Sequence, residues 1–509
     1  MRVDLRPLQG VIVSTLNTSS LRPLYTASQV RELDRRTIAG GIDSFALMQR
    51  AASSAWHSFR SRWPQARSVT VLCGGGHNGG DGHVLAALAM QSGLKVQRLS
   101  LKPLDTLSGD VARAAELATA AGVSFEEWQP STTLSGEVIV DALLGTGLTG
   151  EVEGSVKQAI TAINTASQPV LALDIPSGVS ADTGAMLGTA VEATCTVTFI
   201  GDKIGLHTGE APAYAGDIDF RPLGVKAQAF FDIPPTAWRL DEAMLSEALP
   251  PRSRTSHKGS LGHVLVMGGA PGFGGAALLA SQAAARLGAG KVTLATAQEH
   301  LTASLVRCPE VMARAVRSGA DVAELPANAD VVVVGPGMGQ EAWGQAVLQS
   351  ALQASTPLVI DADALNLLAS RWPTLRRDDW VLTPHPGEAA RLLGCSVADV
   401  QADRPAAARA LQRARGGVVI LKGAGSLVAG PSGLVVCPYG NPGMASGGMG
   451  DVLSGMLGAL MAQLGGLEQS AWLGTMLHAL AGDEAAKAAG ERGLLASDLA
   501  SYARVLINP

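Results

Sequence analysis

S-V-T-V-L-C-G-G-G-H-N-G-G-D-G, Ser68 to Gly82, sets an apolar run directly against a cluster of glycines. The run Ser68–Leu72 has the length and β-branched content of a buried strand. The residues after the glycines, H-V-L-A-A-L-A-M-Q from His83, read as a helix, and a second strand follows around Lys95 to Leu99. Strand, glycine loop, helix and strand in that order make a β-α-β unit. Its strands are parallel and its crossover right-handed.

The same rhythm extends both ways from this unit. Upstream, S-Q-V-R-E-L-D-R-R-T-I-A from Ser28 reads as a capped amphipathic helix, and a second helix spans Ser44 to Arg60. The stretch before about Leu24 reads as an extension without a pattern. Downstream come a helix over Gly109 to Ala121 and the strand E-V-I-V-D-A-L, which runs into L-G-T-G-L-T-G-E. A helix over Ser155 to Thr165 precedes the strand P-V-L-A-L-D-I-P-S-G, and T-C-T-V-T-F-I then leads to G-D-K-I-G-L. Three strands thus end in Gly or Asp clusters. Ligands of doubly wound sheets bind at the carboxyl ends of strands, so these tips are expected to converge on one crevice.

Around Ala227 to Leu249 the rhythm gives way to Pro-rich, aromatic-spotted sequence, F-F-D-I-P-P-T-A-W. A chain of 509 residues calls for at least two cores, and the boundary is expected here, dividing residues 1–230 from 231–509. The second half restarts with K-G-S-L-G-H-V-L-V-M-G-G-A-P-G-F-G-G-A-A, again strand into glycine loop into helix. K-V-T-L-A-T, D-V-V-V-V-G-P-G-M-G, P-L-V-I-D-A-D-A-L-N, W-V-L-T-P-H-P-G-E and V-V-I-L-K-G-A-G-S-L-V-A follow, and N-P-G-M-A-S-G-G-M-G-D-V-L-S-G closes the series. The halves share a rhythm but no motifs, which indicates a fusion rather than a repeat.

Composition narrows the function classes. With 47% hydrophobic and 16% charged residues the chain can bury substantial cores. A formal net charge of -5 leaves no electrostatic footprint for nucleic acid. No uninterrupted apolar run reaches membrane-spanning length, which predicts no membrane partner. Five scattered cysteines, never spaced C-x-x-C, suit neither a disulfide framework nor a zinc site and fit a reducing compartment. The start, M-R-V-D-L-R-P-L-Q-G, makes a poor signal peptide, so a cytoplasmic location is expected. Small-molecule substrates remain open to a few backbone donors, and the oligomeric state, homo-oligomers included, is left open.

In the first half, H-N-G-G-D-G departs from the dinucleotide fingerprint G-x-G-x-x-G. Asn78 and Asp81 stand where backbone alone would face a pyrophosphate. Asp141 and Asp174 each end a strand beside G-T-G-L-T-G-E and I-P-S-G, where carboxylates ligate cations or move protons. Any one of these Asp residues alone could be a helix cap; three at three strand tips favour a site. Oxygen donors without a His or Cys cluster favour a hard cation. His77 alone reads as a polar turn residue.

In the second half, the glycine-rich turn Asn441–Gly450 opens into the apolar helix from Val452. Such a helix start leaves unpaired N–H groups and a partial positive charge that favour an anion, most often phosphate. Asp451 would repel it unless it takes a proton from a hydroxyl that attacks the phosphate; a lone G-x-G-D reads equally as a capped turn. K-G-A-G-S, from Lys422 to Ser426, could cradle a nucleotide phosphate or sugar edge. T-P-H-P-G-E holds His385 between two prolines on a stiff loop beside Glu388. The Gly335–Gly339 loop lets backbone approach a ligand closely, and D-A-D-A-L-N from Asp361 reads equally as a divalent-ion site or a helix cap.

N-G-G-D-G, D-A-L-L-G-T-G, D-I-P-S-G and the later K-x-G, in that order, resemble NAD(P)HX epimerase over most of Ser28 to Gly224. That family interconverts the R and S hydrates of NADH and NADPH on a Rossmann-like domain. The resemblance implies that substrate lies against His77, Asn78, Gly79, Gly80 and Asp81. It also brings in Asp174 and the loop Gly145, Thr146, Gly147, Leu148, Thr149, Gly150 and Glu151. It further implies a potassium ion among Asn78, Asp141 and Ser177. Where many relatives have a second Asn, this chain has His77, a departure that bears on one contact in the site. Asp174 is the first candidate for the proton-moving carboxylate and Asp81 the second.

K-G-S-x-G-H, G-P-G-x-G, T-P-H-P-G-E, K-G and the glycine-Asp motif together are similar to the ribokinase-like ADP-dependent NAD(P)HX dehydratase over about Leu240 to Leu506. The likeness implies conversion of the S hydrate to NADH or NADPH while ADP becomes AMP and phosphate, with magnesium. Lys422, Gly423, Ala424, Gly425, Ser426 and Gly450 would contact the nucleotide. Ala276, Gly337, His385 and Asp451 would face the hydrate, with Asp451 as base. Together the resemblances imply an α/β chain of two three-layer αβα domains, Rossmann-like then ribokinase-like. A vitamin-type kinase fused to a sensing domain, and a first half that binds without catalysing, are the competing readings.

Overall fold

The computed structural model describes residues 21–249 and 251–508. The N-terminal extension expected up to about Leu24 lies mostly outside the described residues. Strands are numbered along the chain from β1 (Leu21–Leu24). The chain divides into two compact units, one over Pro23–Ala237 and one from Trp238 onward.

The first unit holds β2 (Ser68–Cys73), β3 (Lys95–Ser100), β4 (Phe125–Glu127), β5 (Val138–Ala142), β6 (Val170–Leu173), β7 (Cys195–Phe199) and β8 (Asp217–Arg221). They pair in the order β4-β3-β2-β5-β6-β7-β8, every pair parallel. Helices Ser44–Arg62, His77–Gln91 and Gly109–Ala120 pack on one face, and Gly154–Thr165 packs on the other. With both faces covered, β5 and β6 are buried throughout, which is why they read as continuous apolar runs. From β2 the chain winds one way to β4, and from β5 the other way. The tips of β2 and β5 therefore form the switch point where such sheets bind ligands.

One element begins earlier than its sequence indicates. H-N-G-G-D-G was expected to be loop, with the helix starting at His83; the helix spans His77–Gln91. Its glycines let it lie almost on the sheet. A Cβ on Gly79 would collide with the Gly74 carbonyl, and one on Gly82 would fall 2.5 Å from the Ala142 side chain.

The second unit holds β9 (Ala237–Leu240), β10 (His263–Met267), β11 (Lys291–Thr296), β12 (Met312–Ala315), β13 (Val331–Val334), β14 (Leu358–Ile360) and β15 (Trp380–Leu382). It continues with β16 (Val418–Leu421), β17 (Ser426–Gly430) and β18 (Gly433–Cys437). Read from β9, the order is β9-β18-β17-β16-β15-β14-β13-β10-β11-β12, with β17 alone running antiparallel among the described strands. Helices Gly274–Arg286, Met449–Leu464, Leu467–Ala489 and Ala496–Leu506 bury one face. Helices Ala342–Gln353, Ala362–Arg371 and Arg404–Arg415 cover the other. The expected three-layer α/β architecture holds in both units, and here the switch point lies between β10 and β13.

Candidate active sites

At the first switch point, Asn78 Nδ2 donates to the Leu144 carbonyl at 2.7 Å and so joins the helix start to the β5 tip. Asn78 Oδ1 is buried and has no hydrogen-bond partner. Asp141 is fully buried and accepts from the Leu143 N–H at 3.1 Å, the Ser177 N–H at 2.8 Å and the Ser177 hydroxyl at 2.6 Å. Burial pushes its carboxyl up to about 6, with the Ser177 bonds opposing. Asp141 therefore clamps the D-A-L-L and D-I-P-S turns together.

Asp174 sits just beyond β6 at φ 66, a conformation costly for a residue with a side chain. The ammonium of Lys203, itself without solvent exposure, pairs with its Oδ1. Lys203 also donates to the Thr198 hydroxyl and the Phe199 carbonyl, both at 2.9 Å, so its three protons are used and Asp174 is held in place. Asp81 lies in the field of this pair. Burial and the carboxylates of Asp174 and Asp34 hold its carboxyl well above the usual range. A carboxyl biased toward its acid form beside a paired carboxylate is suited to acid–base work.

His77 and most of Gly145–Glu151 form an open rim: Gly147, Thr149, Gly150 and Glu151 are exposed. Arg31, on helix Ala27–Ala39, reaches the Thr146 carbonyl at 3.3 Å. Gly145 lies against Asn78 and Asp174, because a Cβ there would fall 3.3 Å from Asn78 Cβ and 3.8 Å from Asp174 Oδ2. Gly79 and Gly80 are buried beneath, so they pack the helix rather than line the opening.

In the second unit the polar centre is a buried ion pair. Asp361, 1% exposed beyond β14, accepts from Lys422 Nζ at 2.7 Å and from the Ser454 hydroxyl at 2.8 Å. Burial alone would raise its carboxyl, yet Lys422 outweighs it and holds the carboxyl below the ordinary range. Neither role considered for D-A-D-A-L-N describes Asp361: its side chain neither caps the following helix nor stands free for a solvated ion. Asp363 instead accepts from the Gly339 N–H at 2.9 Å.

Gly450 passes directly over this pair, since a Cβ on it would meet Lys422 Nζ at 3.1 Å and Asp361 Oδ2 at 3.5 Å. One residue on, Asp451 occupies the first turn of helix Met449–Leu464, whose N-cap Gly448 has φ 91. Burial and repulsion from Asp361 push its carboxyl up to about 7, with Lys422 opposing. A group with that value shifts between acid and base at neutral pH.

From β15, His385 caps helix Pro386–Leu393 by accepting from the Gly387 N–H at 3.0 Å, and Glu388 accepts from the His385 N–H at 2.8 Å. Burial pushes Glu388 up to about 7; it lies 4.0 Å from Lys422. Burial and Lys422 push the His385 imidazole down. Gly423 to Ser426 turn immediately after Lys422, closed by the Ser426 hydroxyl on the Gly423 carbonyl at 2.9 Å. Ala276 and Gly337 meet at the switch point, the Ala276 Cβ lying 3.1 Å from where a Gly337 Cβ would start.

A family profile described as NAD(P)H-hydrate dehydratase matches residues 264–504, and one described as YjeF-related protein N-terminus matches residues 44–205. A relative from Coxiella burnetii, the bifunctional NAD(P)H-hydrate repair enzyme Nnr, is 48% identical over 488 residues, 96% of this chain and 99% of its own. The chain belongs to the bifunctional NAD(P)H-hydrate repair enzymes. Among solved structures, a ribokinase-like superfamily protein from Enterococcus faecalis has TM-score 0.50 at 29% identity, covering 53% of this chain and 94% of its own. A Bacillus subtilis ADP/ATP-dependent NAD(P)H-hydrate dehydratase co-crystallized with ATP and Mg2+ has TM-score 0.46 at 28% identity, covering 52% of this chain and 95% of its own.

Two site residues of this repair enzyme carry no role in the sequence reading. Lys203 belongs to the quoted K-x-G, but its pairing with Asp174 spans 29 residues and depends on how β6 and β7 align. Asp34 lies on the first helix, where spacing marks it only as a polar face position. Burial, opposed by Lys203, pushes its carboxyl up to about 6. The one usable signal was an Asp among the basic residues of R-E-L-D-R-R.

Proposed function

We propose that this chain epimerises the R and S hydrates of NADH and NADPH in its first domain and dehydrates the S form in its second, converting ADP to AMP and phosphate. The proposed domains are residues 1–230 and 231–509, a boundary seven residues before the division of the compact units after Ala237. Supporting the pair of activities is one observation: each sheet carries its own Lys–Asp pair, Lys203–Asp174 and Lys422–Asp361, with a protonatable Asp beside it.

In the epimerase site, inverting C6 requires its C–O bond to break and re-form. Asp81 in its acid form gives a proton to the departing hydroxyl. Asp174, held by Lys203, takes one back when water returns to the opposite face. The rim loop Gly145–Glu151 covers the dinucleotide. Potassium fits the donor set, because Asn78 Oδ1 is a buried oxygen without a partner and the neighbouring donors, Asp141 and Ser177, are oxygens too. Bound there, the ion would supply a fixed positive charge beside the substrate.

In the dehydratase site, hydroxide is a poor leaving group and phosphate a good one. Asp451 takes the proton of the C6 hydroxyl as its oxygen attacks the β-phosphorus of ADP, and AMP departs. The C6–O bond then breaks with loss of the C5 proton, restoring the ring double bond and releasing phosphate. Lys422 and the N–H groups at the start of helix Met449–Leu464 stabilise charge on the transferred group. Among the described residues no group of three or more His, Cys, Asp or Glu could hold a metal alone. Magnesium would therefore arrive on the ADP phosphates, with Glu388 the adjacent carboxylate, and would neutralise phosphoryl charge.

No helix among the described residues is long and apolar enough to cross a membrane, and a cytoplasmic location is part of the same proposal. The test supplies mixed R and S hydrate with ADP, Mg2+ and K+ and follows recovery of reduced-nicotinamide absorbance. Complete conversion is expected. Arrest at the S fraction would mean a silent first domain, and a stable phosphorylated alcohol would mean a kinase.

A further inference from the structure

The glycine loop after β10 carries an aromatic side chain that neither the sequence reading nor the mechanism uses. Phe273 is 64% exposed, yet its backbone is firmly placed. Its N–H donates to the Ala270 carbonyl at 2.8 Å, and Ala270 in turn donates to the Gly337 carbonyl at 2.7 Å across the switch point. Phe273 Cβ lies 3.2 Å from where a Gly337 Cβ would start, and its carbonyl crowds the same position. Gly337 can lie there because it lacks a side chain and sits at φ 56.

From this point contacts run to the reacting groups along two routes. Two residues beyond Gly337, the Gly339 N–H holds Asp363, whose charge acts on Asp451. On the helix that begins at Gly274, Leu279 touches Gly448, the N-cap of the Asp451 helix, at 2.8 Å from its would-be Cβ. An apolar ring thus stands open to solvent three residues before Ala276, on a turn whose backbone is pinned against Gly337 at the switch point. Single exposed apolar residues are ordinary on surfaces. What sets Phe273 apart is its place at the switch point of the sheet, on backbone held by its own hydrogen bond to Ala270.

We propose that Phe273 is a binding residue for the hydrated cofactor, its ring packing against the carboxamide-bearing ring that Asp451 addresses. Aromatic faces favour offset stacking on planar conjugated groups. The enamine-carboxamide part of the hydrated ring offers such a surface, whereas phosphates do not. The proposal rests on the reading that Ala276 and Gly337 face the hydrate rather than the nucleotide.

The ring contributes little to the core, so Phe273→Ala is expected to fold, which a parental melting profile of the second domain would verify. Its KM for the S hydrate should rise about fivefold, with the dehydration kcat within about twofold of the parent. The ADP dissociation constant, measured by calorimetry, should not move. Phe273→Tyr should restore the parent KM, and hydrated nicotinamide mononucleotide should show the same rise as the full hydrate. An unchanged KM for the hydrate, or a rise absent with the mononucleotide, overturns the proposal. Ala276→Val separates the two readings. If it raises the hydrate KM while Phe273→Ala does not, the loop assignment stands and the Phe273 role fails. If both variants weaken ADP instead, the loop assignment itself fails.

Discussion

Lys422 Nζ sits 2.7 Å from Asp361 Oδ1, joining the tips of two strands that are not neighbours in the sheet. Asp361 is sealed from water at 2% side-chain exposure, and Lys422 is partly covered at 21%. Breaking one side of such a pair leaves an uncompensated buried charge, at a cost of about 3–5 kcal/mol. Lys422→Met should lower the stability of the second domain by that order in chemical denaturation and abolish dehydration. Lys422→Met with Asp361→Leu should recover stability but not activity. If the single variant is as stable as the parent, the pair contributes no net structural energy.

Asp451 must lose its proton to act as a base, and its carboxyl titrates at about 7. Dehydration kcat should therefore rise with pH through about 7 and level off above it. Asp451→Asn should reduce dehydration by about a hundred- to ten-thousandfold and leave epimerisation intact. The sign for stability is opposite. A carboxyl whose folded value lies above its unfolded value of about 3.9 costs folding free energy increasingly as pH rises from about 4 to about 7. Asp451→Asn should therefore melt higher than the parent at pH 8 and no higher at pH 4. Equal melting temperatures at both pH values would contradict the buried, repelled carboxylate.

Lys203 spends all three of its protons on Asp174, Thr198 and Phe199. Lys203→Met should abolish R/S exchange, seen by chromatography of an enriched R sample, while dehydration of pure S hydrate persists. Asp174→Asn should do the same, and because it leaves the buried Lys203 ammonium without its counter-charge it should also lower the stability of the first domain by about 3–5 kcal/mol. Exchange at the parental rate in Asp174→Asn would remove this residue from the mechanism.

Asn78 Oδ1 is the buried oxygen without a partner in the first site. Exchanging K+ for a large organic cation should slow epimerisation and leave dehydration unchanged. Asn78→Ala should lose that dependence on K+. A parent enzyme indifferent to K+ would contradict the assignment of Asn78, Asp141 and Ser177 as its ligands.

Gly79 tests the packing rather than the chemistry. A Cβ there would strike the Gly74 carbonyl. Gly79→Ala should destabilise the first domain by about 1–3 kcal/mol, as overpacking does, with epimerisation lost first on warming. A parental melting profile would show that the helix can lift off the sheet at little cost.

What the sequence determined by itself is whatever resides in local order. Apolar runs ending in Gly, Asp or Ser marked the strand tips, because both faces of a parallel strand are covered and its end is not. The motifs placed Asn78, Asp81, Asp141, Asp174 and Lys422 just beyond strand ends and Asp451 at the start of a helix, while the switch points came only with the strand orders. Tertiary structure alone decided which of these residues meet and in what state of charge. Asp34, Lys203 and Glu388 were legible as letters but not as neighbours of reacting groups. Asp361 took neither role that its motif suggested, because Lys422 reaches it from a strand 61 residues away. H-N-G-G-D-G is helical rather than loop because close contact with the sheet favours glycine more than helix propensity opposes it. Charge pairing, burial and close packing act between residues remote in sequence, and in one chain read alone their strength depends on distances that only the fold supplies.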